Sequence, residues 1–301
     1  MQFGRVNPAT LNDIDFKLPA EPVFNKAALR GKPSGRPDFR LGCTSWNRKE
    51  WVGNVFPKGT KEKDFLTRYA KVYNSIELNA THYRIYPPDT IRKWKEKVAG
   101  QDFLFCPKVP QGISHYSNLV NAMDQTSAFL EGVVEFGEHL GPIFLQLSES
   151  FGPSRKSNLF NYLASLPVDL EFFVEVRHPD WFSDPRHSQE LFSTLRNLNM
   201  GAVITDTAGR RDMVHMHLPI AHTFIRYVGN HLHPTDYSRV DDWLNRIRYW
   251  MDHGLENTWF FMHMPDETAV PELSAYLAGR LEAICGLKVP YPQTHSDNTL
   301  F

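Results

Sequence analysis

A carboxylate that could exchange a proton lies two residues from an arginine in one short apolar segment, residues 172–178. Residues i and i+2 of a strand share a face, so Glu175 and Arg177 would point together, away from Val174 and Val176. An ionised carboxylate in a low-dielectric interior costs several kcal/mol unless it is paired. The pattern therefore predicts either a buried ion pair or an acid/base site at a strand end.

Several further apolar segments repeat this alternation, with a polar residue in phase near the end. Glu77 is in phase with Asn79, Asp206 with Ile204, and Arg226 with Phe224. If these faces look inward, the interior holds three carboxylates and three cations with a histidine beside them: Glu77, Glu175, Asp206, Lys108, Arg177, Arg226 and His263. Such a balanced set predicts either an active site or a structural charge network.

Eight segments of this kind are spaced along the chain like the strands of one barrel. They cover residues 39–46, 75–83, 103–109, 143–148, 172–178, 202–207, 224–229 and 259–264. The intervening gaps carry helical periodicity, except for a long loop at 208–223. The pattern predicts a single-domain α/β protein, a (β/α)8 TIM-like barrel over 39–287 with an N-terminal arm at 1–38 and a C-terminal tail at 288–301.

An open, doubly wound sheet is the alternative architecture. It would need a glycine-rich phosphate loop after its first strand, and residues 41–46 contain neither GxGxxG nor GxxxxGK[ST]. The sequence therefore favours the barrel.

Composition is that of an ordinary globular protein, with 42% hydrophobic and 22% charged residues in 301. A net charge of −1 gives no general attraction to nucleic acid or to an anionic membrane. No apolar run approaches the ~18 residues of a membrane span, and the start lacks a signal-peptide pattern. The three cysteines are far apart and predict free thiols in a reducing cytoplasm.

Short motifs in a fixed order then point to a family. The chain reads GCTSW at 42–46, WVGNVFP at 51–57, IELNATHY at 76–83, ISH at 113–115, FLQL at 144–147 and VEVRH at 174–178. With these motifs, and with Lys108, Asp206 and Arg226 at matching places, it resembles the YecE-like family, catalogued as domain of unknown function seventy-two. The resemblance implies a TIM-like barrel and supplies no reaction. Ser45 and His82 depart from the usual glycine and phenylalanine of the family motifs.

The leading interpretation is a metal-independent enzyme that performs acid/base chemistry on a small polar or anionic molecule at the C-terminal rim of the barrel. No cofactor is favoured, no membrane is expected, and the oligomeric state is left open. The expected catalytic residues are Glu77, Glu175, Asp206 and Lys108. The expected substrate-binding residues are Asn79, Tyr83, Arg177, Arg226, Trp46 and His178. On this interpretation Glu175→Gln is near neutral or stabilising, because functional sites trade stability for activity.

Two other functions remain open at this stage. One is a sugar isomerase-like or phosphodiesterase-like enzyme that uses a divalent metal held by Glu77, Glu175, Asp206 and His263. The other is a non-catalytic barrel that binds nucleic acid or another ligand. Nucleic acid is possible but not the favoured partner, because a net charge of −1 gives no general attraction to it. Aromatic residues near the rim would stack on sugars and bases alike and do not separate the two.

Overall fold

The computed structural model describes residues 3–31 and 35–293, in which strands alternate with helices along the chain. The strands are β1 Asp38–Gly42, β2 Ser75–Leu78, β3 Leu104–Pro107, β4 Ile143–Gln146, β5 Phe172–Glu175, β6 Gly201–Asp206, β7 His222–Val228 and β8 Asn257–His263. The helices are α1 Phe65–Tyr69, α2 Ala80–Tyr83, α3 Pro88–Glu96, α4 Met123–Val133, α5 Lys156–Ala164, α6 Asp180–Ser183, α7 Pro185–Asn197, α8 Pro234–Asp252 and α9 Val270–Cys285. No helix among these residues is long and apolar enough to cross a membrane.

All strand pairs are parallel and fall into two hydrogen-bonded sheets. One sheet has six strands in the order β1-β8-β7-β6-β5-β4, and the other contains β2 and β3. The α/β class and the parallel sheet are thus confirmed. A closed eight-stranded ladder is not present in residues 3–31 and 35–293, because it is interrupted between β1 and β2 and between β3 and β4.

A few backbone hydrogen bonds span these two junctions. The amide of Glu77 donates to the carbonyl of Cys43 at 3.1 Å, and the amide of Val109 donates to that of Phe144 at 2.9 Å. At the first junction Gly42 is essential, since a Cβ there would lie 2.2 Å from the carbonyl oxygen of Ser75. At the second junction the amide of Gly141 also donates to the carbonyl of Phe105 at 2.7 Å, so the strands at both junctions are close neighbours.

The strands separate two apolar clusters. The smaller one lies on the inner phase of the strands and comprises Cys106, Phe144, Phe173, Val203, Phe224, Trp259 and Phe261. The larger one fills the space between the strands and the helices, where Ile204 and Ile225 lie on the opposite phase. This arrangement defines which residues of each strand look inward.

Each of the eight strands ends earlier than the sequence pattern predicts, and the difference is largest for β1, β2 and β5. The pattern extends them to residues 46, 83 and 178, whereas β1 ends at Gly42, β2 at Leu78 and β5 at Glu175. After β2 the backbone of Asn79 is already helical, and α2 follows at once. Alternation therefore cannot be extended to Tyr83, whose side chain is directed by a helix.

The N-terminal arm packs along the loop between β6 and β7, the one connection without a crossover helix. The Asn25 side chain donates to the carbonyl of Met216 and accepts from the amide of Leu218, each at 2.8 Å. Nearer the chain start, Leu11 and Phe16 form a small buried cluster with Ala208. The arm thus covers the apolar surface that a crossover helix would otherwise cover.

Candidate functional site

A layer of buried charges lies above the inner apolar cluster, at the carboxyl ends of the strands. Glu77 on β2 receives two hydrogen bonds from Arg226 on β7, Nη2 to Oε1 at 2.7 Å and Nε to Oε2 at 2.8 Å. Asn79 donates to Oε1 at 2.8 Å, and His263 Nε2 lies 2.9 Å from Oε2. Both carboxylate oxygens of Glu77 are therefore fully occupied.

Glu175 on β5 is held in a similar way by two guanidinium groups. Arg177 Nε donates to Oε1 and Arg226 Nη1 donates to Oε2, each at 2.7 Å. Burial alone would raise the pKa of Glu175, but the charges of Arg177 and Arg226 outweigh it and lower the pKa to about 2. The same balance with Arg226 and His263 holds the pKa of Glu77 well below its usual range. Neither carboxylate is a competent base at neutral pH.

Lys108 differs from the other cations of the layer because no carboxylate of the described residues forms an ion pair with it. Its Nζ donates to Oε1 of Gln146 at 2.8 Å, and its side chain is almost fully buried. Burial and the neighbouring positive charge of Arg226 lower its pKa to about 7, although Glu77 and Glu175 act in the opposite direction. Lys108 is thus the group of this layer that can gain and lose a proton near neutral pH.

Three histidines around this layer are kept neutral. Burial, then the charge of Lys108, lowers the pKa of both His82 and His115 to about 4. Burial also lowers the pKa of His263, although Glu77 opposes it. A neutral His263 beside an ionised Glu77 carries its proton on Nε2 and donates it to the carboxylate. These histidines therefore add no positive charge near pH 7.

The charge layer forms the floor of a cavity of about 790 Å³. Lys108, Arg177, Arg226 and His263 line it, whereas Glu77 and Glu175 do not, since both are 0% exposed beneath it. A bound molecule would therefore meet these cations, together with Glu149 and Glu267, which also line the cavity. The buried Glu77 and Glu175 would act on it only through the cations.

The walls of the cavity are aromatic on one side and polar on the other. Trp46 lies edge-on against Trp94, with ring centroids 5.2 Å apart, and Tyr86 packs on Trp94 at 4.7 Å. On the polar side, Thr44 Oγ1 donates to Glu267 at 2.8 Å. The site thus offers aromatic rings and hydrogen-bonding groups above a cationic floor.

Of the residues that the sequence predicts for this site, most converge on the cavity. Those that line it are Lys108, Asn79, Tyr83, Arg177, Arg226, Trp46 and His263. His178 does not line it and lies beside Asp180 instead. Of the other rim aromatics, Trp51, Trp181 and Tyr227 are buried in the core between strands and helices.

The prediction that Asp206 looks inward is wrong. Asp206 is in phase with Ile204, which belongs to the outer cluster, and it accepts from Arg239 at 2.8 Å and from Trp243 Nε1 at 2.7 Å, both on α8. It also pairs with Arg211. Asp206 therefore fastens helix α8 and the β6–β7 loop to the end of β6, away from the cavity.

This placement also removes the predicted metal ligand set. Asp206 faces away from Glu77, Glu175 and His263, and the oxygens of both glutamates already accept from guanidinium groups. Within residues 3–31 and 35–293, no group of three or more His, Cys, Asp or Glu side chains is arranged to hold a metal ion. The donor set therefore does not fit the metal-dependent alternative.

Several residues that line the cavity were not assigned to it from the sequence, among them Gln146, Glu149, Glu267 and Phe3. Gln146 follows the inward phase of β4, so alternation alone could have found it. Glu267 and Phe3 come from a loop after β8 and from the arm, where no periodic pattern places a side chain.

Comparisons with known proteins agree on one family. The model of the family described as "Protein of unknown function DUF72" matches residues 40–295. The "UPF0759 protein YecE" of Escherichia coli K12 is 30% identical over 251 residues, which cover 77% of this chain and 89% of that protein. These matches bear out the family resemblance that the sequence motifs indicate.

Solved structures of the same family share the fold. The crystal structure of a DUF72 family protein from Enterococcus faecalis V583 superposes with a TM-score of 0.63 at 16% identity, covering 85% of this chain and 98% of that one. One from Thermotoga maritima MSB8 gives a TM-score of 0.53 at 19% identity, covering 75% and 92%.

Proposed function

Since the chain belongs to the DUF72 family, for which no specific activity is established, we propose a function from the cavity itself: an enzyme that moves a proton on a small anionic substrate. Lys108 is the proton carrier in this proposal. Arg177 and Arg226 hold the anionic group, and Glu77 and Glu175 fix those arginines from beneath. The proposal keeps the acid/base chemistry expected from the sequence and moves the proton-carrying role from the glutamates to Lys108.

The observation that carries the proposal is a buried lysine with a pKa of about 7 at the wall of a cavity. A general base works best when its pKa lies near the working pH, because it is then both unprotonated and basic enough. Glu175, with a pKa of about 2, lacks this property. A lysine amine is also the side chain whose pKa shifts most readily on burial.

The preference for an anion follows from counting the charges of the layer. Glu77 and Glu175 contribute two negative charges, and Arg177 and Arg226 contribute two positive charges. Protonated Lys108 then leaves one positive charge in excess within this layer. Glu149 and Glu267 also line the cavity, and Glu267 is paired with Arg48. An anionic substrate would compensate this charge and would raise the pKa of Lys108 on binding.

Arg177 is the arginine best placed to bind that anion. Among the described residues its side chain donates only Nε–H, to Glu175, whereas Arg226 uses Nε, Nη1 and Nη2 on the two glutamates. The Nη groups of Arg177 remain available, and a guanidinium edge suits carboxylate or phosphate oxygens.

We further propose that the eight strands act as one barrel, with β2 and β3 joined to the six-stranded sheet through the two junctions. The side chains that meet on the cavity floor come from β2, β3, β5, β7 and β8 or from the residues just after them, as expected when both sheets surround one interior. The three cysteines are free, which supports the proposal of a reducing, cytoplasmic location.

The test is exchange of substrate carbon-bound hydrogen for solvent deuterium, followed by proton NMR. The panel comprises 2-hydroxy carboxylates, 2-oxo carboxylates and sugar phosphates. We expect the wild-type protein to exchange at least one of them, and Lys108→Met to slow that exchange by about 10²–10⁴-fold, the usual contribution of a general base. Equal exchange by both proteins would refute the role of Lys108.

Sulfate binding, measured by titration calorimetry, tests the anion site separately. Sulfate keeps its charge between about pH 6 and 8.5, so a change in affinity over this range reports on the protein. We expect binding to weaken by about tenfold or more as Lys108 loses its proton. The control is Arg186→Gln, which removes a positive charge that is 89% exposed on the surface. This variant should bind sulfate with the same pH dependence as the wild type. Sulfate binding that is absent, or independent of pH, would contradict the proposal.

A further inference from the structure

The arm of the chain itself reaches the cavity. Phe3 lines it, and the centroid of its ring lies 4.1 Å from Cζ of Arg177 and 5.3 Å from Cζ of Arg210. One aromatic ring thus contacts the guanidinium group that the proposed function assigns to the anion.

The backbone after Phe3 is anchored tightly. The carbonyl of Gly4 accepts from the amide of Gly209 at 2.8 Å and from Thr207 Oγ1 at 3.1 Å. Gly4 has φ +68°, and a Cβ on it would lie 2.4 Å from Cγ2 of Thr207. Glycine is therefore required at position 4, and the close packing fixes where Phe3 can lie.

Arg210 supports the same contact from the loop after β6. Its Nη2 donates to the carbonyl of Arg177 at 2.7 Å and to Asp212 at 2.6 Å. Arg210 therefore links the end of β5 to the β6–β7 loop, and Phe3 lies against both arginines.

We propose that Phe3 is a positioning residue for the anion site, a cover that the chain supplies to Arg177. This inference rests on the proposed function, because it concerns the same arginine. The ring contacts the guanidinium through its π-face and uses none of its N–H donors. Glu175 accepts from Nε of Arg177 and the Phe3 ring lies over its Cζ, so the two contacts together fix the orientation of the guanidinium group. Its Nη donors stay available to the cavity.

Sulfate binding to the full chain at about pH 6 tests this role with three substitutions of Phe3. Phe3→Ala removes the ring, Phe3→Leu keeps apolar volume without a π-face, and Phe3→Trp keeps the π-face. Since a partly desolvated cation–π contact is worth enough to change affinity about tenfold, we expect the alanine and leucine variants to bind about tenfold more weakly. Phe3→Trp should bind within about threefold of the wild type.

Phe24→Leu is a matched control on the same arm. In the wild type the centroid of the Phe24 ring lies 3.4 Å from Cζ of Arg196, and this cation–π contact is not part of the cavity. This variant should bind sulfate with the affinity of the wild type. Weaker binding would show that any loosening of the arm lowers sulfate affinity. Thermal unfolding of each variant verifies that it is folded.

The outcomes separate the two proposals. Equal sulfate affinity in wild type and Phe3→Leu would overturn the role of Phe3 while leaving the anion site intact. Tighter binding by Phe3→Ala would also overturn it, because the ring would then obstruct the anion. No binding by the wild type at about pH 6 would overturn the proposed anion site and, with it, this inference.

Discussion

Replacement of Lys108 by methionine should change how the stability of the protein depends on pH. In the folded protein the pKa of Lys108 is about 7, whereas an exposed lysine has 10.5. Between these values the unfolded chain holds a proton that the folded protein has released. Because the unfolded state then binds more protons, the free energy of unfolding of the wild type must rise with pH.

The size of the effect follows from the two pKa values. At 1.36 kcal/mol per pKa unit, the free energy of unfolding changes by on the order of 5 kcal/mol across the whole range between the two pKa values. Between about pH 7.5 and 9 the expected rise is about 2 kcal/mol, since the folded lysine is already largely deprotonated there. Lys108→Met has no such group, so its stability lacks this rise.

The assay is urea unfolding of both proteins at several pH values, followed by tryptophan fluorescence. The quantity of interest is the difference between the two unfolding free energies, because histidines and cysteines titrate in both proteins and cancel. Loss of the Lys108 hydrogen bond to Gln146 shifts this difference by a constant and does not give it a slope. Parallel curves over about pH 7.5–9 would refute a lowered pKa for Lys108 and would remove the basis of the proposed base.

Three further predictions follow from the buried charges and thiols. Glu175→Gln should lower the free energy of unfolding by about 3–5 kcal/mol in urea titrations, because it leaves the buried Arg177 without its carboxylate and Arg226 with one of its two; an unchanged midpoint would contradict this. This reverses the expectation that the sequence pattern gives for the same change. Asp206→Asn should destabilise the protein by a similar amount, about 3–5 kcal/mol, yet leave sulfate affinity unchanged, which calorimetry can check. Cys43 and Cys106 should react with a thiol reagent only after unfolding, because both are buried and burial raises the pKa of each thiol, that of Cys43 to about 12. Rapid labelling of both cysteines in the folded protein would contradict this.

Alternation along the strands predicts most of the cavity floor but fails for Asp206, and the reason is physical. Parallel strands are apolar on both faces, so Val203 and Ile204 are equally acceptable inward or outward. Period two shows which residues share a face and cannot show which face is inside. For β5 the pairing of Glu175 with Arg177 decided the phase, whereas β6 carries no second charge that could do so.

The contribution of Phe3 lies beyond any periodic pattern. Its place depends on Gly4 packing against Thr207 and Gly209, a contact between segments about two hundred residues apart in the chain. Local sequence patterns describe neighbours on one strand or helix, and loops and arms reach a site by such long-range packing alone.

The sequence left open whether the inner charges form an active site or a structural network, and the geometry indicates that one arrangement serves both purposes. Arg226 binds Glu77 and Glu175 and so cannot itself exchange a proton, yet its charge is the largest influence after burial that lowers the pKa of Lys108. The two glutamates raise that pKa, so the field at Lys108 is a difference between opposed charges. A rigid, saturated network keeps this difference constant, which a set of mobile carboxylates could not do. Burial lowers the pKa of Lys108 most, and the stability of the network keeps the contribution of the surrounding charges to that pKa constant.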